Sequence, residues 1–242
     1  MDIIKLAKES EERLIEYRRH FHRYPELTGK EFETLKFIRQ ELEKYDVEYV
    51  EIENGGILVT IDSNKPGKTV LLRADIDALP IEECQYNDGG FKKSCISLNI
   101  GVAHMCGHDC HTAMLLVALQ ILNQYKDTFK GKIYGFFERG EESGDNIYYC
   151  LKYFKENKIE FDNCFGIHVN SNEEFELGSV IVHPNEYYAG MIVFDISING
   201  KGGHGSRPDL CNNPIDVFAD VVNALREIKI DKEEYFRIQF VL

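Results

Sequence analysis

The sequence predicts an α/β fold: a mixed, largely parallel sheet with helices on both faces. Three observations point to it. Short apolar runs rich in β-branched residues alternate with runs of helical period between residues 47 and 169. The helix predicted over residues 112–129 is apolar on every side, as a helix buried against a sheet must be. A length of 242 residues is long for one domain and short for two, which suits one large domain with part of a second.

Taken in order, Ile3, Leu6, Leu14, Ile15 and Tyr17 fall near the helical period, so residues 2–23 read as one helix ended by Pro25. A second amphipathic helix covers 30–45. Strands follow at 47–52, 57–61 and 69–74, separated by the Asn54-Gly55-Gly56 and Pro66-Gly67 turns, and they read as a meander feeding the central sheet. Gly131 breaks the buried helix at 112–129 before a strand at 132–137. A helix at 147–156 and strands at 162–169 and 178–183 complete the alternation. Near residues 184–189 the pattern restarts with a strand at 191–198, a glycine-rich loop, a helix at 213–228 and a last strand-like run at 235–242. Residues 1–186 are thus expected to form the main domain. Residues 187–242 make a βαβ piece too small to bury a core of its own.

Composition removes several classes. Apolar residues make up 43% and charged residues 29%, which excludes disordered and collagen-like chains. The longest apolar run, 113–122, is interrupted by Gln120 and falls short of the roughly 18 residues that span a bilayer. With 28 basic against 41 acidic residues the net charge is −13, and no basic run exceeds Arg18-Arg19, so neither nucleic acid nor an anionic membrane is expected as a partner. Residues 1–19 have no apolar signal-peptide core, which gives a cytoplasmic expectation. Seven cysteines, an odd number, suit thiols and a metal ligand better than a disulfide framework.

The densest chemistry lies in His104-Met105-Cys106-Gly107-His108-Asp109-Cys110-His111. Read as an extended segment, it projects Cys106 and His108 to one side. Thiolate with imidazole suits zinc, and manganese, cobalt and nickel stay open. The same residues also fit a structural role, with Cys106 a small buried hydrophobe and the histidines decorating a helix start. After the strand at 132–137 comes Glu138-Arg139-Gly140-Glu141-Glu142. Catalytic groups gather outside the carboxyl ends of strands in open α/β sheets, so one glutamate there could bind metal while its neighbour takes a proton from water. A solvated acidic turn is the plainer reading of the pair. Arg73 and Asp75 share one face of a strand, where Asp75 could orient a metal-binding histidine. His168 ends another strand. The glycine-rich loop around His204 lacks the spacing of a phosphate-binding loop.

Five blocks in order, Arg73 to Pro80, Cys106 to Thr112, Glu141-Glu142, Gly166 to Val169 and Gly202 to Pro208, resemble the amidohydrolases related to hippurate hydrolase. Bacterial N-acyl-amino-acid amidohydrolases and plant auxin-conjugate hydrolases belong to that group. It sits with aminoacylase and carboxypeptidase G among the two-metal metallopeptidases. The resemblance implies a three-layer αβα zinc-peptidase-like catalytic domain with part of a small α+β dimerisation or lid domain. It also implies two divalent metal ions, with Cys106, His108, Glu142 and His168 as ligands. Glu141 then matches the general base, Asp75 the aspartate beside the metals, and His204 the small-domain histidine offered to the substrate carbonyl, often across a homodimer. The implied reaction is cleavage of the amide bond of a small N-acyl amino acid or dipeptide by metal-activated water, with Glu141 returning the proton to the amine.

Two departures stand out. The usual Phe-Gln-Pro-Ala is here Phe137-Glu138-Arg139-Gly140, which adds a charge of each sign near the site and bears on substrate preference. Family members also continue further, to a final histidine ligand. Against the resemblance the chain reads as C-terminally truncated, as a truncated gene product, a fragment of a longer chain or a protein completed by a separate polypeptide, with four ligands and little activity expected of it alone. The alternatives are a chain that binds metal or dimerises without turnover, and a thiol hydrolase using Cys106 with His108 or His111 as base.

Overall fold

The computed structural model describes residues 2–144, 146–170, 176–182 and 195–228. The chain divides into two units, Met1–Asn172 and Glu173–Leu242. In the first, five strands form one sheet: β1 (Tyr49–Ile52), β2 (Gly56–Asp62), β3 (Thr69–Asp75), β4 (Lys132–Glu138) and β5 (Asn163–Gly166), in the order β1-β2-β4-β3-β5. The meander expected from the sequence holds for the β1–β2 hairpin only. β4 lies between β2 and β3, antiparallel to the former and parallel to the latter, and β5 pairs parallel with the other side of β3.

The helices follow from that order. α1 (Ile3–Glu9), α2 (Glu11–Arg23) and α3 (Phe32–Lys44) precede the sheet. α4 (His108–Gln124) connects β3 to β4, and α5 (Ile147–Glu156) connects β4 to β5. The two crossovers run in opposite directions across the sheet, so the right-handed rule puts α4 and α5 on opposite faces. The packing agrees. Ile57, Val59, Ile61, Ala74 and Phe137 bury one face under α2, α3 and α4, in a cluster with Phe21, Ile38, Leu42, Leu116 and Leu119. Leu58, Leu71, Tyr134 and Phe136 bury the other against Cys150 and Phe154 of α5. The residues of β2 alternate between these two clusters with the period-two rule of a strand, and both sides are apolar because both are covered.

Two helices differ from the expectation. Residues 2–23 form two helices: Ser10 leaves helical geometry (φ −99°, ψ 2°), and its hydroxyl accepts from Arg13 Nη2 at 3.0 Å. Glu11 and Glu12 then occupy the first turn of α2, where acidic side chains favour a new helix start. α4 begins at His108, one turn before the expected residue 112, because Gly107 is left-handed (φ +86°) and caps it.

In the second unit the backbone of Lys201 pairs with Asn212, and α6 (Pro214–Glu227) starts from Asn213, whose Oδ1 accepts the Ile215 N–H at 3.1 Å. The strand expected at 178–183 does not form over 178–182, where the Ser179 N–H turns back to the Glu176 carbonyl at 3.0 Å. Residues 195–198 likewise form no strand. His183, residues 191–194 of the next expected strand, the run at 235–242 and the expected boundary at 186 lie outside the described residues. No helix among the described residues is long and apolar enough to cross a membrane.

Candidate metal centre

The parallel register places Asp75, at the end of β3, beside Glu138, at the end of β4. Their outgoing chains leave for α4 and α5 on opposite faces, which opens a crevice between the two strand ends, the usual ligand position in open α/β sheets. Four segments converge there: residues 75–77 after β3, the start of α4, the turn after β4, and the coil after β5.

Hydrogen bonds sort the histidines. A backbone N–H can only donate and a carbonyl can only accept, so each ring's proton can be assigned. His108 Nδ1 lies 2.9 Å from the Asp77 carbonyl and 3.2 Å from Asp77 Oδ1, both acceptors, so it carries the proton. In the neutral ring His108 Nε2 is then the lone pair. It is buried and has no hydrogen-bond partner among the described residues. His168 Nδ1 donates to the Val169 carbonyl at 2.7 Å, which leaves its Nε2 as the lone pair, 3.4 Å from Cys106 Sγ. His111 differs: the Val169 N–H donates to its Nε2 at 2.8 Å, so its proton sits on Nδ1 and goes to Asp75 Oδ1 at 2.6 Å.

The glutamates arrive in a single 3-10 turn, Glu141–Ser143, where the sequence suggests an extended segment. Gly140 starts that turn with φ +66°. Glu141 Oε2 and Glu142 Oε1 each lie 3.8 Å from His108 Nε2. Glu142 Oε1 is also buried without a hydrogen-bond partner among the described residues. The potential ligand atoms of Cys106, His108 and His168 lie within 4.8 Å of one another, as do those of His108, Glu141 and Glu142. Two buried atoms that need an electropositive partner therefore face each other, in a donor set of sulfur, nitrogen and carboxylate oxygen. That combination fits a borderline divalent cation.

The electrostatics agree. Burial, then the charges of Glu142, Glu141 and Asp75, push the Cys106 thiol up to about 12. Burial also raises the Glu142 carboxyl, with Glu141 adding to it. Burial opposes the His108 cation, but the hydrogen bond to Asp77 and the charges of Asp75, Asp77 and Glu142 outweigh it and raise its pKa. Asp75, 1% exposed, is desolvated too, yet the His111 hydrogen bond and the charges of His108 and Arg73 hold it at about 2. The crevice carries more negative charge than its own residues neutralise.

Not all of the His104–His111 cluster turns inward to this crevice. Asp109 is taken by Arg18 Nε at 2.9 Å and His22 Nδ1 at 2.8 Å, both from α2, and His22 Nε2 meets Glu83 at 3.2 Å. His104 is buried with neither ring nitrogen hydrogen-bonded among the described residues, and burial lowers its pKa to about 4. The charges that distinguish Glu138-Arg139 are each paired within the protein. Glu138, buried, accepts from the half-buried Arg73 Nε at 2.6 Å, and Arg139 Nε pairs with Glu31 at 2.8 Å, both buried. His204 is exposed in the second unit, where the Ser206 N–H donates to its Nδ1 at 3.3 Å.

Asp77 is the residue the sequence reading passes over. Its Oδ1 orients His108, while its Oδ2 accepts from Thr28 Oγ1 at 2.6 Å and from the Glu142 N–H at 3.1 Å, so one carboxylate ties the α4 start to the glutamate turn. Its spacing of two from Asp75 on the same strand path was the available signal. Gly107 matters for a different reason. A Cβ there would lie 2.2 Å from Val169 Cγ2, in a left-handed conformation that costs a side chain roughly 1–2 kcal/mol. Gly107→Ala should displace the Val169 segment and weaken binding of a divalent metal while the chain still folds, which zinc titration alongside far-ultraviolet circular dichroism would check.

Comparison with known proteins gives a family. A family model described as peptidase family M20/M25/M40 matches residues 71–238. Thermostable carboxypeptidase 1 of Saccharolobus solfataricus is 37% identical over 236 residues, covering 93% of this chain and 57% of that protein. N-acetyl-L-cysteine deacetylase of Bacillus subtilis is 34% identical over 237 residues, covering 94% and 54%. Among solved structures, the Bacillus subtilis YXEP protein, described as a dinuclear metal-binding peptidase of the M20 family, is 34% identical with a TM-score of 0.59, covering 67% of this chain and 44% of that one. The chain spans a little over half the length of the curated relatives it matches.

Proposed function

The chain belongs to peptidase family M20/M25/M40, and from that premise we propose that it carries the metal-binding part of an amidohydrolase acting on small N-acyl amino acids. The observation that carries the reading is the pair of unpartnered buried atoms, His108 Nε2 and Glu142 Oε1, 3.8 Å apart with Glu141 alongside. Cys106, His108, Glu142 and His168 would hold two divalent ions. When bound, such ions supply Lewis acidity, lowering the pKa of water and polarising the amide carbonyl.

The remaining chemistry belongs to the chain. Glu141, with its side chain 38% exposed, reaches solvent and substrate more openly than Glu142, whose side chain is 24% exposed and whose Oε1 is buried. Glu141 takes a proton from the attacking water on a carboxylate oxygen and passes it to the leaving amine. Asp77 and Asp75 hold His108 and His111 in single tautomers throughout. For His204 we propose the oxyanion role: Nδ1 meets the Ser206 hydroxyl at 2.8 Å and the Ser206 N–H at 3.3 Å, which leaves Nε2 as the nitrogen to offer the substrate. Residues 1–186 are assigned to the catalytic domain and 187–242 to the dimerisation domain, in a homodimer. The seven thiols, all unpaired, suit a cytoplasmic location.

The thiol-hydrolase alternative draws no support, since a thiol pushed up to about 12 is not a nucleophile near neutral pH. The test is a screen of N-acetyl and N-benzoyl amino acids against the chelator-treated protein reloaded with zinc, manganese, cobalt or nickel. Release of free amino acid with at least one metal and none in chelator supports the reading. Bound metal with no release across the screen favours the non-catalytic alternative.

The same thiol makes metal uptake pH-dependent. Cys106 binds metal only as thiolate, so below about pH 12 each ion it ligates displaces a proton. Protonation competes less as pH rises, and the raised His108 acts in the same direction. Zinc affinity should climb about tenfold from pH 7 to pH 8, measured by competition with a chromogenic chelator.

A further inference from the structure

We infer that His111 is a positioning residue that sets His168 for metal ligation through the backbone of Val169. The assignment rests on the metal reading above and adds a residue to it. His111 Nε2 accepts the Val169 N–H at 2.8 Å, and the Val169 carbonyl accepts from His168 Nδ1 at 2.7 Å. Val169 is therefore held from α4 on its amide side and holds the His168 ring on its carbonyl side. His168 itself is exposed, in coil beyond the last residue of β5, where its ring also meets Cys106 Sγ at 3.4 Å and the edge of the His111 ring at a centroid distance of 4.7 Å.

The alternative, that His111 is itself a ligand, is worth weighing because its ring nitrogen also falls within 4.8 Å of ligand atoms on Asp75 and His108. Both of its nitrogens are already engaged. Nδ1 donates to Asp75 in a buried hydrogen bond and Nε2 accepts from Val169 in a half-buried one, so ligation through either would break one of them. His108 and His168 each keep Nε2 clear of any N–H donor. Asp75 completes the device. Its carboxylate, held by Arg73 Nη1 at 2.6 Å, fixes the His111 proton on Nδ1 and so obliges Nε2 to be the acceptor that Val169 needs. The chain of contacts runs Arg73, Asp75, His111, Val169, His168.

The test compares wild type, His111→Phe and His111→Gln in the full chain. Phenylalanine removes both hydrogen bonds, whereas the glutamine carboxamide can accept from the Val169 N–H and donate to Asp75. Cobalt(II) alone is titrated into each metal-free protein and followed by the thiolate-to-cobalt absorption of Cys106. In parallel, hydrogen exchange at the Val169 amide is followed in the metal-free proteins. His111→Phe should weaken cobalt about 10–100-fold and speed the Val169 exchange, and His111→Gln should restore most of both. If His111→Phe does not fold, His111→Asn, which reaches Asp75 and not Val169, takes its place. Wild-type cobalt affinity, or unchanged Val169 exchange, in a folded His111→Phe or His111→Asn protein would overturn the assignment. A wild-type protein with no cobalt band overturns the metal reading and this assignment together, which the wild-type titration distinguishes from failure of the assignment alone.

Discussion

Replacing Glu141 by glutamine should lower hydrolysis of an N-acyl amino acid by about 10²–10⁴-fold at saturating metal, the usual contribution of a positioned general base. Metal content should not change. The substitution is isosteric and leaves Cys106, His108, Glu142 and His168 in place, and Glu141 Oε2 stands 3.8 Å from His108 Nε2 on the more open side of the turn. What glutamine loses is the ability to accept a proton. The kcat should fall while KM moves little, and metal analysis of the same preparation should match wild type. A kcat within a few-fold of wild type would remove Glu141 from the base role, and a parallel loss of metal would make it a ligand instead.

The second large effect concerns folding. Glu31 is 0% exposed, and its carboxylate accepts three donors: the Gly29 N–H at 2.8 Å, the Gly140 N–H at 3.0 Å and Arg139 Nε at 2.8 Å. Arg139 also donates to the Gly29 carbonyl at 2.8 Å. One buried pair thus clamps the loop before α3 onto Gly140, the left-handed residue that opens the glutamate turn. Glu31→Ala should cost about 3–5 kcal/mol, because it strands a buried guanidinium and leaves the Gly140 N–H unpaired. The double variant Glu31→Ala/Arg139→Leu should recover part of that loss, since it leaves no buried charge without a partner while the Gly29 and Gly140 N–H groups still lack their acceptor. Urea unfolding of the three proteins measures this, and a Glu31→Ala loss under about 1 kcal/mol would mean that water reaches the pair.

This clamp also explains the residues that depart from the family's pattern before the glutamates. From sequence, Glu138 and Arg139 read as a charge of each sign near the site. In the fold each is an internal partner, Glu138 to Arg73 and Arg139 to Glu31, across separations in the chain that no local pattern can reveal.

The elements visible in the sequence were those with a local cause. Strands β2, β3 and β4 and helices α3, α5 and α6 fall within about two residues of their predicted bounds, because apolar period and turn residues act over neighbouring positions. The insertion of β4 between β2 and β3 has no such signal, since strand order is decided by long-range pairing and crossover handedness. The early start of α4 was missed because polar His108, Asp109 and His111 look like a loop until their partners Asp77, Arg18 and Asp75 are in place.

At the site the division is similar. By itself the sequence determined which residue types are available: a thiol, imidazoles and a glutamate pair at strand ends, in an order that resembles one family of hydrolases. Only the tertiary structure decided how they are used. It drew Cys106, His108 and His168 together, turned Asp109 away to α2, and gave Asp77 and His111 supporting roles. The reason is physical. A side chain's identity is local, but its tautomer, charge and free lone pair depend on which donor or acceptor lies within about 3 Å, and the folded chain supplies that partner.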